Sequence, residues 1–174
     1  MKKIIIVFAL IVCTFITNAQ TGINVVNNTK QKAATVVNLP DYYKPQADSI
    51  RKLYTQSGFE LLKAEFLVME SSYERAIVLP LEEGTWYQIV FISDKGAHLQ
   101  EVFMYDEVER KVMYKKKKWA DIDGNVIDEA YIPTHSEYHM LKFTQECKKK
   151  KWLTTAFLLF KKTGTSSNIK YVKN

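Results

Sequence analysis

Cysteine and histidine are scarce in this chain, and their scarcity limits the chemistry that it can perform. The sequence has two cysteines and three histidines in 174 residues. Cys13 lies in an apolar N-terminal segment, which leaves Cys147 as the only cysteine of the remaining chain. One cysteine cannot form an internal disulfide, so we expect a domain that is stabilised by its hydrophobic core. A nucleophilic cysteine also needs a base within hydrogen-bond reach, and the sequence offers Cys147 no evident partner.

Glycine is sparse as well, and its arrangement excludes two common catalytic motifs. None of the six glycines belongs to a phosphate-binding loop, and no G-x-S-x-G motif occurs. The paired carboxylates Glu82-Glu83 and Asp128-Glu129 lie in predicted turns or at predicted strand starts, where solvated acids are ordinary. These patterns predict a protein that is not an enzyme.

Long apolar runs are absent except at the N-terminus, where one indicates export. Lys2–Lys3 precede the apolar run Ile4–Ile16, which is shorter than the roughly 20 residues of a membrane span. Thr17–Ala19 supplies the small residues of a signal-peptide cleavage site after position 19. Val12 stands where a lipoprotein signal has a small residue, so Cys13 is not expected to carry lipid. We therefore predict a periplasmic or extracellular protein that does not span a membrane.

The charge balance is only mildly basic. The chain carries a net charge of +6, and residues 1–19 contain two of its 25 basic residues and none of its 19 acids. The remaining 155 of 174 residues thus have a net charge of +4. Nucleic-acid-binding domains are far more basic, so we expect no nucleic-acid partner. The predicted organisation is a signal peptide at 1–19, a tether at 20–45 and one domain at 46–174.

Residues 74–161 have the pattern of short antiparallel strands. Seven segments rich in β-branched and aromatic residues are separated by turn signals. They are Glu74–Leu81, Trp86–Ser93, His98–Asp106, Val112–Lys117, Val126–Ile132, Tyr138–Gln145 and Trp152–Lys161. The segments WYQIVFIS and TAFLLF are apolar on both faces, which predicts that they lie at the centres of their sheets.

The preceding residues contain a predicted helix and one ambiguous segment. Ile50, Leu53 and Tyr54 have helical spacing within 46–56, and Gly58 supplies a stop. Phe59–Met69 fits both a helix and a strand, and we favour a strand because strands dominate the rest of the chain. The sequence therefore predicts a mainly β fold, a seven- or eight-stranded antiparallel β-sandwich with one short N-terminal helix.

A resemblance to a known family is found in the same residues. The matching residues are Leu81, Gly84 and Tyr87 before a strand, Asp106 in a hairpin, and Pro133 and Tyr138 near the last strand pair. Over residues 74–161 the chain resembles bacterial pre-peptidase C-terminal-like domains, although Glu137 stands where that family has a glycine. The resemblance implies a jelly-roll-like sandwich that serves as a secreted accessory or adhesion module without catalysis of its own.

Two metal sites are alternatives to the expectation that the protein has no cofactor. In PTHSEYHM, His135, Glu137 and His139 alternate along a strand and could hold zinc, although zinc sites usually have three or four ligands and a supporting shell. DIDGN resembles part of a calcium loop, but Val126 and Ile132 stand where an EF-hand has glycine and glutamate. A tight hairpin turn is the favoured interpretation of DIDGN.

The motif KKKKW occurs twice. The first copy is Lys115, Lys116, Lys117, Lys118 and Trp119, and the second is Lys148, Lys149, Lys150, Lys151 and Trp152. The favoured interpretation is structural, because lysines at strand ends and edges discourage aggregation. The alternative is a basic face that binds an acidic polysaccharide or another envelope protein, with the indoles stacking on sugar rings.

Together these features predict an exported, non-catalytic binding or accessory module whose ligand the sequence does not name. Two other functions remain open. One is a metal-assisted hydrolase that uses His135 and His139, and the other is a structural subunit of a secreted assembly.

Overall fold

The computed structural model describes residues 39–118 and 124–164, so the predicted signal peptide and most of the predicted tether lie outside it. The described residues form one helix and eight strands. They are α1 (Lys44–Gln56), β1 (Phe59–Glu70), β2 (Glu74–Leu81), β3 (Tyr87–Ser93), β4 (Leu99–Tyr105), β5 (Lys111–Lys118), β6 (Val126–Tyr131), β7 (Glu137–Glu146) and β8 (Trp152–Lys162). The prediction of a mainly β protein with one N-terminal helix is confirmed.

The strands form two antiparallel four-stranded sheets. The first sheet has the order β1-β8-β3-β6 and the second has the order β2-β7-β4-β5. Buried side chains of both sheets meet in one core, which places the sheets face to face as in a sandwich. Phe91 of the first sheet stacks on Phe143 of the second with ring centroids 4.4 Å apart. Alternate residues of each strand supply this core because successive side chains point to opposite faces.

The helix covers the outer face of the first sheet. Ala47 is buried, and Tyr54 packs against the ring of Phe160 at 4.9 Å in a second apolar cluster. Helix α1 begins at Lys44, two residues before the predicted start, and includes Pro45 in its first turn, where proline leaves no internal hydrogen bond unmade. It stops before Gly58, whose φ of +76° suits glycine. In residues 39–118 and 124–164, no helix is long and apolar enough to cross a membrane.

The ambiguous segment is a strand. Phe59–Glu70 forms β1 and pairs along its length with β8, with one register shift between Leu61 and Lys63. The pairing decides the ambiguity that spacing alone left open, since the segment satisfies its backbone hydrogen bonds with β8. The register shift places an extra residue, Leu62, in an edge strand, and such bulges bend the strand locally.

Candidate functional site

The first lysine run ends, and the second begins, at the same end of the sandwich. Lys118 is the register partner of Leu99, and Leu99 is also the partner of Glu146 on its other side. Neighbouring strands are about 4.8 Å apart, so the backbones of Lys118 and Glu146 are separated by roughly 10 Å. Lys148–Lys151 follows Glu146 in the loop between β7 and β8. We call this region, comprising Asp94–Gly96, Lys118 and Cys147–Lys151, the lysine end.

The first run is part of an edge strand and is engaged within the sandwich. Lys116 pairs with Glu101 at 2.7 Å, and Lys115 pairs with Glu129 at 2.7 Å. Lys117 is buried, and its ammonium donates to the carbonyl of Val126. The hydrogen bond from Lys116 holds the pKa of Glu101 below its ordinary value. Trp119 lies outside the described residues. Three of the four lysines of the first run therefore bond to other groups of the protein.

The second run lies in a loop, and half of it forms ion pairs. Lys150 pairs with Asp94 at 2.8 Å, and Lys151 pairs with Glu70 at 3.5 Å. Lys148 and Lys149 form no ion pair with any residue of the described part of the chain. Their charges are therefore available to an anion that approaches the lysine end.

A cavity of about 470 Å³ opens beside the second run. Its walls come from the start of the helix, the β3–β4 turn, the β5–β6 connection and the start of β8. The lining residues are Tyr42, Tyr43, Gln46, Asp94, Lys95, Asn125, Lys150 and Thr154. Phenol, amide, hydroxyl and charged groups lie among these residues, but most of them bond to one another and the surface that lines the cavity is mainly apolar.

Hydrogen bonds hold two walls of the cavity together. The hydroxyls of Tyr42 and Tyr43 lie 2.8 and 3.0 Å from Oγ1 of Thr154. Gln46 donates from Nε2 to the side-chain carbonyl of Asn125 at 3.1 Å. Because these bonds join segments that are distant in sequence, the cavity depends on the packing of residues 42–46 against the sandwich.

Trp152 is exposed close to this cavity. Its side chain lies at the start of β8, two residues before Thr154 and on the same face of the strand, and 58% of the residue is exposed. Two residues of a strand span about 7 Å. Lys151 places its ammonium 5.9 Å from the centre of the indole ring. The exposed indole beside this cavity provides an aromatic surface next to the lysine end on which a sugar ring can stack.

Asp94 connects the cavity to the second lysine run. Burial on its own would raise the pKa of Asp94, but hydrogen bonds from Lys150 and from the backbone N–H of Gly96 outweigh it, and the pKa lies below the ordinary value. A carboxylate with this environment keeps its charge at neutral pH. The anchored Asp94 therefore fixes the position of Lys150 in the cavity wall.

The lowered pKa of Asp94 leads to a testable pH dependence. A carboxyl group whose pKa is lower in the folded state stabilises the protein above its unfolded pKa and loses that effect as the pH falls through the folded pKa. We expect Asp94→Asn to reduce the free energy of unfolding by roughly 1 kcal/mol at pH 7. Denaturation of both proteins between pH 7 and pH 2 should show the difference shrinking below about pH 4. A difference that is constant over this range would contradict the Asp94–Lys150 pair.

The two histidines of the zinc hypothesis have different environments. His135 is exposed, with Nδ1 3.1 Å from the hydroxyl of Thr134, whereas His139 is fully buried with Nε2 2.9 Å from the hydroxyl of Tyr131. Glu137 and His139 share the inner face of β7, with a carboxylate oxygen 3.6 Å from Nε2. In residues 39–118 and 124–164, no group of three or more His, Cys, Asp or Glu is arranged to hold a metal. Zinc stays a prediction that this geometry does not strengthen.

The calcium hypothesis falls mostly outside the described residues. Asp121 and Asp123 of DIDGN belong to the undescribed segment 119–123. Asn125 directs its side chain to Gln46 and to the backbone carbonyl of Ser93, which Nδ2 contacts at 2.8 Å. Calcium therefore also stays a prediction.

Cys147 is a half-buried thiol that follows the last residue of β7. Its side chain packs against the main core, and its sulfur accepts a contact from the backbone N–H of Lys149 at 3.4 Å. This position gives Cys147 a packing role at the base of the lysine loop.

Sequence reasoning identifies the lysine runs and Trp152 but not the cavity. Tyr42 and Tyr43 precede the helix in a segment for which the sequence predicts a tether, yet Tyr43 is buried against the sandwich. Their partner Thr154 is more than 100 residues away. The only feature of the local sequence that points to this packing is the pair of tyrosines between Pro40 and Pro45.

The fold and the lysine end define a sandwich-like antiparallel β protein with a lysine-rich end and an adjoining cavity. No family model and no curated protein matches the sequence. Among solved structures, the chain is similar to one described as "Glycosylation Associate Protein (Gap123) complex from Streptococcus agalactiae", with 13% identity and a TM-score of 0.34. The similarity covers 67% of this chain and 44% of that chain, so this chain spans less than half of its neighbour. A likeness at this TM-score carries no conclusion about function.

Proposed function

We propose that this protein is an exported, non-catalytic accessory module whose lysine end binds an acidic polysaccharide. The observation that carries the proposal is that exposed Trp152, Lys148 and Lys149 lie in the same short segment as Lys150 and Thr154, which line the cavity. Stacking on an indole suits the apolar face of a sugar ring, and lysine ammonium groups suit its carboxylates. Neither group needs a catalytic partner, so the arrangement supports binding without chemistry.

The pairing of the strands supports a jelly roll, which is the architecture that the family resemblance implies. Four strand pairs, β1·β8, β2·β7, β3·β6 and β4·β5, make one long antiparallel ribbon. Two further pairs, β3·β8 and β4·β7, join the ribbon to itself after it wraps around the core. We infer a jelly roll of the kind that lectin domains share. Membership of the pre-peptidase C-terminal-like family is part of this proposal.

The lysine end, the adjoining cavity and Trp152 have separate roles in the proposed binding. Lys148 and Lys149 attract the anionic chain, and exposed charges of this kind are screened over about 10 Å at 0.1 M salt. Gln46 and Asn125 can exchange their mutual hydrogen bond for bonds to sugar hydroxyls. Trp152 supplies the stacking surface. Binding should therefore depend on salt through the lysines and persist in part at high salt through the indole.

Titration of residues 20–174 with two polysaccharides tests the proposal. We expect measurable affinity for polygalacturonate, which carries a carboxylate on every ring, and none for neutral dextran of similar length. Trp152→Ala should weaken polygalacturonate binding about tenfold, which corresponds to about 1.4 kcal/mol. Isothermal titration calorimetry at 50 and 300 mM salt measures both effects.

Trp86→Ala is the matched control, because Trp86 is also partly exposed but lies at the start of β3, at the opposite end of the sandwich. The Trp86→Ala variant should bind polygalacturonate with the same affinity as the unaltered protein. Equal weakening in the two variants, or equal affinity for dextran, would reject the lysine end as the site.

A further inference from the structure

A second and larger cavity lies at the end of the sandwich opposite the lysine end. It has a volume of about 630 Å³ and opens between the edge strands β1 and β2, which belong to different sheets. The extra residue Leu62 in β1 lies in its wall, where a bulge bends an edge strand away from regular pairing. Cavities of roughly 300–1,000 Å³ are typical of small-molecule sites.

The inner part of this cavity is apolar. Leu79, Leu81 and Leu159 line it and are also buried members of the core between the two sheets. Leu62 packs against the same core, and Tyr87 closes one side with its hydroxyl bonded to the backbone N–H of Glu82 at 3.0 Å. A linear hydrocarbon chain that enters from the edge would therefore reach the core of the sandwich.

One carboxylate projects from this apolar lining without a strong partner. Glu137 lines the cavity, and only 15% of its side chain is exposed. Its contact with Nε2 of His139, at 3.6 Å, is longer than a hydrogen bond, and Nε2 already lies 2.9 Å from the hydroxyl of Tyr131. Within the described part of the chain, Glu137 has no hydrogen-bond donor. Largely buried carboxylates normally have partners, so this group is suited to a donor that a ligand brings.

The charges around the cavity favour a cation. Four glutamates and two lysines line it, namely Glu60, Glu82, Glu107, Glu137, Lys63 and Lys161. Each lysine already pairs with a carboxylate, Lys161 with Glu82 and Lys63 with Glu65. Glu60, Glu107 and Glu137 have no lysine or arginine partner among the described residues. A negative mouth on a net basic protein selects a ligand of positive charge.

We propose that this cavity binds a small amphiphilic amine, with its hydrocarbon chain between the sheets and its ammonium group on the carboxylate of Glu137. The exposed ring of Tyr138 also lines the mouth, on the face of β7 opposite to that of Glu137. This site is independent of the polysaccharide site, since the two cavities share no lining residue. Either proposal can fail without the other.

Three probes of equal chain length test the selectivity for an amine. Hexylamine, 1-hexanol and heptanoate, each titrated at pH 7 into ¹⁵N-labelled residues 20–174, share a six-carbon alkyl chain and differ only in the head group. We expect hexylammonium to bind about tenfold more tightly than hexanol and heptanoate to bind weakest. The amide shifts should concentrate at the start of β1, the end of β2 and the start of β7. Equal or tighter binding of heptanoate, or shifts elsewhere, would overturn the proposal.

Glu137→Gln tests the role of the carboxylate. The amide keeps the size of the side chain and removes its charge, so the affinity for hexylamine should fall about tenfold, to that of hexanol, while hexanol binding stays unchanged. The matched control is Glu83→Gln, an exposed residue at the same end that does not line the cavity. The double variant Glu60→Gln, Glu107→Gln changes only the mouth of the cavity, and its affinity for hexylamine should be two- to threefold lower. This double variant tests the proposal if Glu137→Gln does not fold. Identical affinities in these variants and the control would refute the assignment.

Discussion

Replacement of Phe91 by alanine is expected to lower the free energy of unfolding by about 3–5 kcal/mol. Phe91 lies in β3, at the centre of the first sheet, and its ring is fully buried. It stacks on Phe143 of the facing sheet at 4.4 Å and contacts Phe157 of the neighbouring strand at 5.0 Å. Alanine would remove the ring that joins the two sheets and leave a cavity that rigid strands cannot close.

Chemical denaturation followed by circular dichroism measures this loss. For a domain of this size, each kcal/mol shifts the melting temperature by roughly 2–4 °C, so we expect a decrease of about 6–20 °C. Val108→Ala serves as the control, because Val108 is 66% exposed in a turn and surface changes usually stay within about 0.5 kcal/mol. A loss below about 1 kcal/mol in Phe91→Ala would mean that the two sheets do not depend on this contact.

The central position of Phe91 could be predicted from the sequence. WYQIVFIS has apolar residues on both of its faces, which a strand tolerates only when both faces are covered. All seven residues of β3 are buried, between the second sheet on one side and the helix on the other. TAFLLF in β8 behaves in the same way, and the two segments are neighbours in the first sheet. The hydrophobic pattern was sufficient here because apolar residues dominate both faces of these strands, and the buried polar exceptions Gln88, Ser93 and Thr155 make side-chain hydrogen bonds.

The cavities could not be predicted because each depends on contacts between distant segments. Tyr42 and Tyr43 meet Thr154 only after the segment before the helix folds against the first sheet. The second cavity needs a register shift at Leu62, which follows from strand pairing and not from composition. Alternation along PTHSEYHM does predict that Glu137 and His139 share one face of a strand, as they do. It does not predict that this face points inward or that Glu137 lines a cavity, because both depend on the packing of distant strands.

The two lysine runs are identical in sequence but are expected to differ in function. Replacement of Lys148–Lys151 by glutamine should weaken polygalacturonate binding about 100-fold at 50 mM salt, which corresponds to about 2.7 kcal/mol. A lysine near an anionic surface contributes about 1 kcal/mol to the free energy of binding, and the run contains four lysines. Removing Lys150 also leaves the carboxylate of Asp94 in the cavity wall without its partner, and that charge repels an anionic ligand. Calorimetry at several salt concentrations should show a shallower salt dependence in this variant.

Replacement of Lys115–Lys118 should weaken binding much less, by about threefold. Lys115 and Lys116 pair with Glu129 and Glu101, and Lys117 is buried, so their charges are directed toward the sandwich. A charge-matched control replaces four lysines away from the lysine end by glutamine. These are Lys52, Lys63, Lys111 and Lys142.

The control separates site binding from general attraction by a basic protein, because it has the same net charge as each run variant. If it weakens polygalacturonate binding as much as the Lys148–Lys151 variant does, the lysine end has no special role. If instead the Lys148–Lys151 variant binds normally but aggregates, the run protects the strand ends, as the structural interpretation holds. Loss of binding in the Lys148–Lys151 variant, with normal solubility and a melting temperature lowered only by the roughly 2–4 °C that loss of the Asp94–Lys150 pair accounts for, would assign the run to the ligand.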